Sequence, residues 1–459
     1  MIHRYQKKGL NFVLDVNSGA VHLLDDISYA VSGLIDENMT EKCPESVVEA
    51  LPQYAADDVR EAYGELYELK KAGQLFAEDD YIDVSRYIPV GAPVKALCLH
   101  VAHDCNLRCK YCFASTGDFG QGRKIMPPEV AKKAIDFVIA RSGKRRNIEV
   151  DFFGGEPLMA WDTVTQTVDY ARSIEEQHGK KFRFTITTNG LLLDEDKRRY
   201  INENMDNCVL SLDGRREVND EFRKTVAGTG SYDTIVPKFK ALVDERDPNL
   251  DYYARGTFTS HNLDFANDVL SIAGAGFDRL SVEPVTADPG CGYDLTEDDL
   301  PKIEAEYDRL TDIMLERKKE GKPFTFFHFM VDLDQGPCVV KRLRGCGAGY
   351  EYVAVTPDGD IYPCHQFVGK EEFRQGSVLD QSFDMDIAQK FAGMNIYSRP
   401  KCQKCWAKFY CSGGCSAANY NMNHDMNDSY DLGCEMERKR LECAIYLKAM
   451  DKICAEEAK

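Results

Sequence analysis

The stretch Cys105-Asn106-Leu107-Arg108-Cys109-Lys110-Tyr111-Cys112 places three thiols in one short loop, directly after an apolar segment that predicts a strand. Three thiolates this close together can hold one metal centre. A structural zinc site takes four ligands, whereas this loop offers three cysteines. The spacing favours a [4Fe–4S] cluster that keeps one iron open to a substrate, and a zinc site is the alternative.

Predicted strands and helices alternate from residue 94 onward. Helical segments such as Pro128–Arg141 and Leu300–Lys319 separate six predicted strands. Alternation of this kind predicts a parallel sheet. About six such units predict an α/β fold, a partial (β/α)6 barrel with its chemistry at the C-terminal ends of the strands. The predicted strands are Lys95–His100, Asn147–Phe153, Phe182–Thr187, Cys208–Leu212, Tyr252–Thr257 and Leu280–Pro284.

The composition of the chain indicates its cellular location and which kinds of partner to expect. It has 459 residues, among them 17 cysteines and nine histidines, and a formal net charge of −19. The negative charge disfavours a nucleic-acid partner. No apolar run approaches the roughly 20 residues of a membrane helix, and the polar start carries no signal-peptide core, so we expect a cytoplasmic protein. A reducing cytoplasm disfavours disulfides, which makes the clustered thiols predicted metal ligands.

The sequence pattern divides the chain into three predicted domains. The first is a small α+β module with strands at 11–16 and 20–24 and an amphipathic helix at Asp57–Ala72. The stretch 89–93 contains two prolines and a glycine, which predicts a linker. After the barrel pattern ends, the chain becomes rich in cysteine and glycine. The predicted domains are residues 1–82, 94–320 and 335–445.

The spacing Cys-x3-Cys-x2-Cys, with an aromatic residue before the last cysteine, resembles the signature of the radical S-adenosylmethionine (SAM) superfamily. In that family SAM binds the open iron and is cleaved to a 5′-deoxyadenosyl radical, so the resemblance implies the same cofactor chemistry here. The segment 154–157, Gly-Gly-Glu-Pro, resembles the family's GGEP motif. Within it, Glu156 is implied to hold the SAM amino group. The segment 211–214 resembles the ribose- and carboxylate-binding element.

The resemblance implies that SAM lies across the strand ends and the cysteine loop. Arg255 closes the fifth strand, and its planar fork suits the SAM carboxylate; a surface salt bridge is the alternative. Glu283 ends the sixth strand and either faces the pocket or is solvated. Arg223 and the segment 228–232 extend the match to the peptide-modifying branch of the family. The implied SAM-binding residues are Tyr111, Gly154, Gly155, Glu156, Pro157, Thr188, Asn189, Ser211, Asp213, Arg223 and Arg255.

Seven cysteines downstream of the barrel resemble the SPASM domain, which holds two auxiliary [4Fe–4S] clusters in many peptide-modifying relatives. With Cys105, Cys109 and Cys112, the resemblance implies three [4Fe–4S] clusters. Auxiliary site I would comprise Cys346, Cys364 and Cys415, and auxiliary site II would comprise Cys402, Cys405, Cys411 and Cys434. Cys338 is either a fourth ligand of site I or a free thiol that leaves an iron open for a substrate cysteine. Two zinc sites are the alternative for this region.

The first 82 residues resemble the winged-helix peptide-recognition element of peptide-tailoring enzymes, which binds a leader peptide by adding a strand to its sheet edge. A docking or dimerisation module is the alternative. The segments 9–22, 336–338 and 345–349 narrow the resemblance to maturases of SCIFF peptides, which are small Cys-rich peptides made on ribosomes. That family joins a cysteine sulfur to a carbon of another residue in a thioether.

The implied partners are a small Cys-rich precursor peptide, bound through its leader, and a flavodoxin- or ferredoxin-like electron donor. No membrane or nucleic-acid partner is expected. Two other function classes stay open: a formylglycine-forming radical SAM dehydrogenase of the sulfatase-maturing type, and a non-enzymatic zinc or redox scaffold. The sequence does not assign a catalytic base. Six cysteines match no motif and are predicted to be inert thiols: Cys43, Cys98, Cys208, Cys291, Cys443 and Cys454.

Overall fold

The computed structural model describes residues 1–83, 93–333 and 339–457. Most of the predicted linker, and Cys338, lie outside these ranges. Within them, no helix is both long enough and apolar enough to cross a membrane.

The N-terminal module is a three-stranded antiparallel sheet, in the order β1 (Ile2–Lys7), β2 (Leu10–Asp15) and β3 (Val21–Leu24). Helices at Asp26–Ser32, Glu45–Glu49 and Ala56–Lys71 follow. The predicted strands and the long helix are found, because apolar residues from all of them share one core. Members of that core include Val13, Val31, Val59, Tyr63 and Leu66.

Strand β1 is absent from the sequence-based prediction. Its residues are mostly polar, yet Tyr5 and Lys7 are buried. Lys7 forms an ion pair with Asp308, and the Tyr5 ring stacks on Phe12 at 4.8 Å between centroids. The partner of Lys7 lies some three hundred positions further along the chain, so no local pattern marks this strand.

The barrel is built from parallel strands, and its predicted strands are all present, with bounds that differ by three residues at most. Their order in the sheet is β11-β10-β9-β8-β7-β6-β4, and the short β5 (Lys124–Ile125) pairs with β4. The strands are β4 (Ala96–His103), β6 (Asn147–Gly154), β7 (Lys181–Thr188), β8 (Asn207–Ser211), β9 (Asp251–Phe258), β10 (Arg279–Pro284) and β11 (Thr325–Phe326). The intervening helices are Pro128–Arg141, Trp161–His178, Glu195–Asn204, Arg216–Phe222, Tyr232–Glu245, Ala266–Gly274 and Leu300–Lys319.

The cysteine-rich region continues the barrel sheet, which the sequence did not predict. Strand β12 (Tyr352–Val355) pairs in parallel with β4. Strand β13 (Asp360–Tyr362) pairs antiparallel with β12, and β14 (Gly376–Ser377) pairs antiparallel with β13. The shared sheet therefore fixes this region against the barrel. Its helices are Val339–Arg344, Met385–Gly393, Pro400–Gln403, Lys408–Cys411, Ser416–Asn423 and Asp431–Glu457.

Side-chain alternation along the barrel strands separates core from cavity. Ala254 and Phe258 of β9 are buried in the apolar core. Arg255 and Thr257 of the same strand line a cavity, as does Glu283 of β10. Because successive side chains of a strand point to opposite faces, these polar residues face the cavity and the apolar residues between them face the core.

Candidate active site

A cavity of about 420 Å³ lies at the C-terminal ends of the barrel strands. The three cysteines of the loop, Cys105, Cys109 and Cys112, line it. So do all but one of the residues predicted to bind SAM, Asp213 being the exception. The lining residues from that prediction are Tyr111, Gly154, Gly155, Glu156, Pro157, Thr188, Asn189, Ser211, Arg223 and Arg255.

Gly155 explains how the GGEP segment meets the cysteine loop. Its N–H donates to the carbonyl of Ala102 at 2.7 Å, and the Glu156 N–H donates to the carbonyl of Asp104 at 2.9 Å. A Cβ atom on Gly155 would overlap the backbone of Asp104. Only glycine allows this approach, so the motif holds the segment that leads into Cys105.

Glu156 joins the ends of β6 and β7. Its carboxyl group is almost fully buried and accepts hydrogen bonds from Leu158 N–H at 3.0 Å, Thr188 Oγ1 at 2.8 Å and Asn189 N–H at 2.7 Å. Burial raises the pKa of Glu156 to about 7, although these hydrogen bonds act to lower it. The group is therefore held rigidly at the cavity, and its contact with a SAM amino group stays a prediction.

The cysteine loop is held from outside by the segment that follows the helix Arg216–Phe222. Arg108 N–H donates to Lys224 O at 2.7 Å, and Lys110 N–H donates to Phe222 O at 3.1 Å. Burial raises the pKa of the Cys105 and Cys109 thiols to about 12. Such thiols lose their protons when they bind a metal. Three soft donors on one cavity wall fit an iron–sulfur cluster.

Asp213 does not line the cavity, unlike the other residues predicted to bind SAM, and its side chain is fully buried. It accepts hydrogen bonds from Tyr111 Oη at 2.5 Å and Thr257 N–H at 3.0 Å, and it pairs with Arg223 Nε at 3.0 Å. Asp213 thus holds Tyr111 and Arg223 at the cavity, and its own contact with SAM stays a prediction.

Arg255 and Glu283 form an ion pair at the cavity. Arg255 therefore both lines the cavity and makes a salt bridge, and Glu283 faces the cavity rather than bulk solvent. Burial acts to raise the pKa of Glu283, but the charges of Arg255 and His328 outweigh it and lower the pKa. A carboxylate with a lowered pKa is a weak proton acceptor, so the catalytic base is still unassigned.

Several cavity residues were not predicted. His365 and Gln366 come directly after Cys364 and bring auxiliary site I to the cavity. The only sequence signal for them was their neighbouring cysteine. Further lining residues of the strands and loops that were not predicted include Thr187, Val209, Thr257, Val285 and Thr286.

The structure brings together the thiols predicted for each auxiliary site. The pKa of Cys364 is raised by burial and by Cys415 and Cys346, the two other cysteines of site I. Burial and Glu437 raise the pKa of Cys411, as do the other three cysteines of site II. No three His, Cys, Asp or Glu side chains in the described ranges surround a position for a single metal ion. The assignment of these thiols to clusters stays a prediction.

A second cavity of about 320 Å³ lies beside the first and is lined by Cys411, Cys415 and Cys434. The segment Pro284–Thr286 lines both cavities. This segment is therefore the wall between the candidate active site and the auxiliary cysteines. Of the unassigned cysteines, Cys98, Cys208 and Cys443 are buried, Cys43 is partly buried, and Cys291 and Cys454 are exposed.

Comparison with known proteins agrees with this architecture. Residues 99–251 match the family model of the radical SAM superfamily, and residues 346–406 match that of the SPASM iron–sulfur cluster-binding domain. A cysteine-type anaerobic sulfatase-maturating enzyme of Clostridium novyi is 24% identical over 350 residues, which are 72% of this chain and 90% of that protein.

Two solved structures share the fold. Native anSMEcpe with bound AdoMet and Kp18Cys peptide has a TM-score of 0.64 at 21% identity and covers 78% of this chain and 99% of its own. Streptococcus suis SuiB bound to the precursor peptide SuiA has a TM-score of 0.54 at 17% identity and covers 94% of this chain and 98% of its own. Together with the barrel and its cysteine loop, the two matches identify residues 99–251 as a radical SAM domain and residues 346–406 as a SPASM domain.

Proposed function

We propose that the chain modifies a ribosomally made Cys-rich peptide by installing thioether cross-links from a cysteine sulfur to a carbon of another residue. The observation that carries this proposal is a sheet with an open edge, docked beside the auxiliary cysteines. Strand β3 pairs with β2 on one side, and no other strand of the described residues pairs with its far side. An extended leader peptide can add to such an edge.

The docking contacts fix the N-terminal module relative to the active site. The His3 ring stacks on Trp406, with 3.8 Å between centroids. Asp79 pairs with Lys408 Nζ at 2.8 Å. Trp406 and Lys408 lie between Cys405 and Cys411 of auxiliary site II. A leader held on β3 would therefore present its peptide at a defined place next to the cysteine-rich region, which supports a winged-helix recognition role.

The related structures support a peptide substrate. The anSMEcpe structure holds a bound Kp18Cys peptide, and the SuiB structure holds the precursor peptide SuiA. The SuiB match covers 94% of this chain, which has to include most of the N-terminal module, whereas the sulfatase-maturating relative matches 72%. A module of this kind suits an enzyme that holds its substrate by a leader rather than by the modified segment alone.

In this proposal the chain's own residues bind and orient. Cys105, Cys109 and Cys112 would hold the SAM-binding cluster, and sites I and II would hold auxiliary clusters. When bound, these groups supply a hydrogen-abstracting 5′-deoxyadenosyl radical and acceptors for an electron. Each thioether replaces one S–H and one C–H bond with an S–C bond. One hydrogen atom would leave in 5′-deoxyadenosine, and the other would leave as a proton and an electron.

Mass spectrometry of the product tests the proposal. The substrate to be tested is a short peptide with several cysteines, sought among the reading frames beside this gene. Each cross-link removes two hydrogens and protects one cysteine from alkylation, and it survives a strong thiol reductant. Loss of the mass change on reduction would mean a disulfide. An oxidised cysteine without a cross-link would favour formylglycine formation, the chemistry that the Clostridium novyi relative's name suggests.

Leader binding is tested by a pair of matched variants. Leu23 of β3 and Leu34 outside the sheet are similarly exposed, at 43% and 45%. Leu23→Lys removes an apolar contact at the proposed binding edge and should raise the KM for peptide about tenfold. Leu34→Lys should leave it unchanged. SAM cleavage without peptide should be the same in both. Equal effects of the two substitutions on KM would contradict a leader site on β3.

A further inference from the structure

Arg399 lies between the segments that carry the auxiliary cysteines. Its side chain is nearly fully buried, with the residue 3% exposed. Its carbonyl accepts a hydrogen bond from Cys402 N–H at 3.0 Å. Its guanidinium donates to the carbonyl of Gly413 and, at 2.8 Å, to Ser416 Oγ. One residue thus connects the short helix that begins site II with the turn between Cys411 and Cys415.

The turn is shaped around this guanidinium. Ser412, Gly413 and Gly414 all have positive φ, at 59°, 89° and 72°. A Cβ atom on Gly413 would overlap Arg399 Nη1. Glycine is therefore required at 413 because the cation occupies that space. The arrangement keeps Arg399 in place whatever surrounds the thiols.

The charge of Arg399 has no counter-charge of the usual kind. Within the described residues, no carboxylate lies within salt-bridge distance of it, and its Nε has no hydrogen-bond partner. The groups whose charges it interacts with are cysteines of both sites: Cys402 and Cys411 of site II, Cys415 and Cys346 of site I. An uncompensated buried charge costs several kcal/mol. Negative charge at the two auxiliary sites would compensate it.

We propose that Arg399 is a fixed positive charge shared by auxiliary sites I and II, which raises the reduction potentials of the clusters at both. This inference rests on the proposed function in one respect, namely that both sites hold iron–sulfur clusters. Reduction adds one negative charge to a cluster, and a nearby cation in a poorly solvated site stabilises that charge. One arginine would thereby keep both electron acceptors easier to reduce.

The test measures reduction potentials in a protein that carries the auxiliary clusters alone. The background is the full chain with Cys105, Cys109 and Cys112 replaced by alanine. Arg399→Gln is titrated with dithionite and followed by electron paramagnetic resonance. We expect both auxiliary clusters to become about tenfold harder to reduce, a shift of about 59 mV to lower potential for a one-electron couple. Arg399→Lys, which keeps the charge, should shift both potentials much less.

Ser416→Ala is the matched control, because it removes the bond to Nη2 and keeps the cation. Its potentials should stay at the background values. Unchanged potentials in an Arg399→Gln protein that holds its iron would overturn the inference, and so would a shift confined to one cluster. If the Arg399→Gln protein loses iron, the Arg399→Lys protein is measured instead. Clusters that are retained with background potentials in Arg399→Lys support a role of the charge. Loss of iron from Arg399→Lys as well would overturn the inference.

Failure of the proposed function can be distinguished from failure of the inference about Arg399. A background protein that binds no iron contradicts the auxiliary sites themselves, and this inference with them. Shifted potentials in an enzyme that makes no thioether would contradict the peptide chemistry and leave the role of Arg399 standing.

Discussion

Each of the two cysteine regions contains an arginine with little solvent exposure, and the two arginines differ in their partners. In the barrel, Arg223 pairs with the fully buried Asp213 at 3.0 Å. In the auxiliary region, Arg399 has no carboxylate within salt-bridge distance among the described residues, and cysteines supply its electrostatic neighbours. The charge of Arg223 is therefore neutralised by a protein carboxylate. The charge of Arg399 is neutralised only when the nearby thiols carry negative charge, as metal-bound thiolates do.

The largest effect is expected from the barrel loop itself. Replacing Cys105, Cys109 and Cys112 by alanine should remove about a third of the iron, one cubane of three. Formation of 5′-deoxyadenosine should fall below detection, because no auxiliary thiol among the described residues lines the first cavity, in which SAM is predicted to bind. Iron analysis and chromatography of the nucleoside measure both. Continued 5′-deoxyadenosine formation would place the catalytic cluster elsewhere.

Removing the metal should separate the two regions. After chelation of iron, the segment 395–435 should exchange its amide hydrogens at least about tenfold faster, because Arg399 and the thiols lose the charge that stabilises their arrangement. Strands β6 to β8 should exchange as before, since Glu156 and Asp213 keep their protein partners. Hydrogen-exchange mass spectrometry resolves these segments. Equal loss of protection in both would remove the distinction drawn between the regions.

Breaking the barrel's internal pair should destabilise it strongly. Asp213→Asn leaves Arg223 buried without its counter-charge and should cost about 3 kcal/mol of unfolding free energy. The exposed pair Arg216–Asp233 provides the control, and Asp233→Asn should change stability by about 0.5 kcal/mol or less. Denaturant unfolding measures the free energy of unfolding of both variants. Similar losses in both variants would show that burial does not govern the Asp213 pair.

A smaller, pH-dependent effect on stability is expected where the cysteine-rich region continues the barrel sheet. Asp151 of β6 lies beside Cys98 of β4 and Tyr352 of β12, and burial raises its pKa to about 7. Its pKa in the folded chain exceeds the unfolded value, so its stabilising contribution is present at acidic pH and is lost as pH rises from about 4 to about 7. Asp151→Asn should remove that dependence and gain about 2 kcal/mol at pH 8.

Thermal melting of the wild type and Asp151→Asn at pH 4.5 and pH 8 measures this contribution. Parallel changes in both proteins would mean that the carboxyl group does not titrate on unfolding. Asp136→Asn, on the outer helix Pro128–Arg141, is the control for an exposed carboxylate.

The barrel could be predicted because the sequence signal for each strand lies in the residues of that strand. The alternation in β6 to β10 and the spacing of Cys105 to Cys112 require no distant partner. Strand β1 escaped prediction because its Lys7 is neutralised by Asp308. The sheet continuity through β12 also depends on a distant segment, because β12 pairs with β4. Asp213 was assigned to SAM from the resemblance of segment 211–214 to a SAM-binding element. That segment alone does not show its ion pair with Arg223, which comes from a later loop.

The most direct test of the central claim follows the hydrogen. The precursor peptide is made with deuterium on one residue type at a time and incubated with the reconstituted enzyme and SAM. We predict that one labelled residue transfers deuterium to 5′-deoxyadenosine, and that the same residue carries a reductant-resistant bond to a cysteine sulfur. Formation of 5′-deoxyadenosine without deuterium from any residue of the peptide, or transfer without a cross-link, would contradict the account.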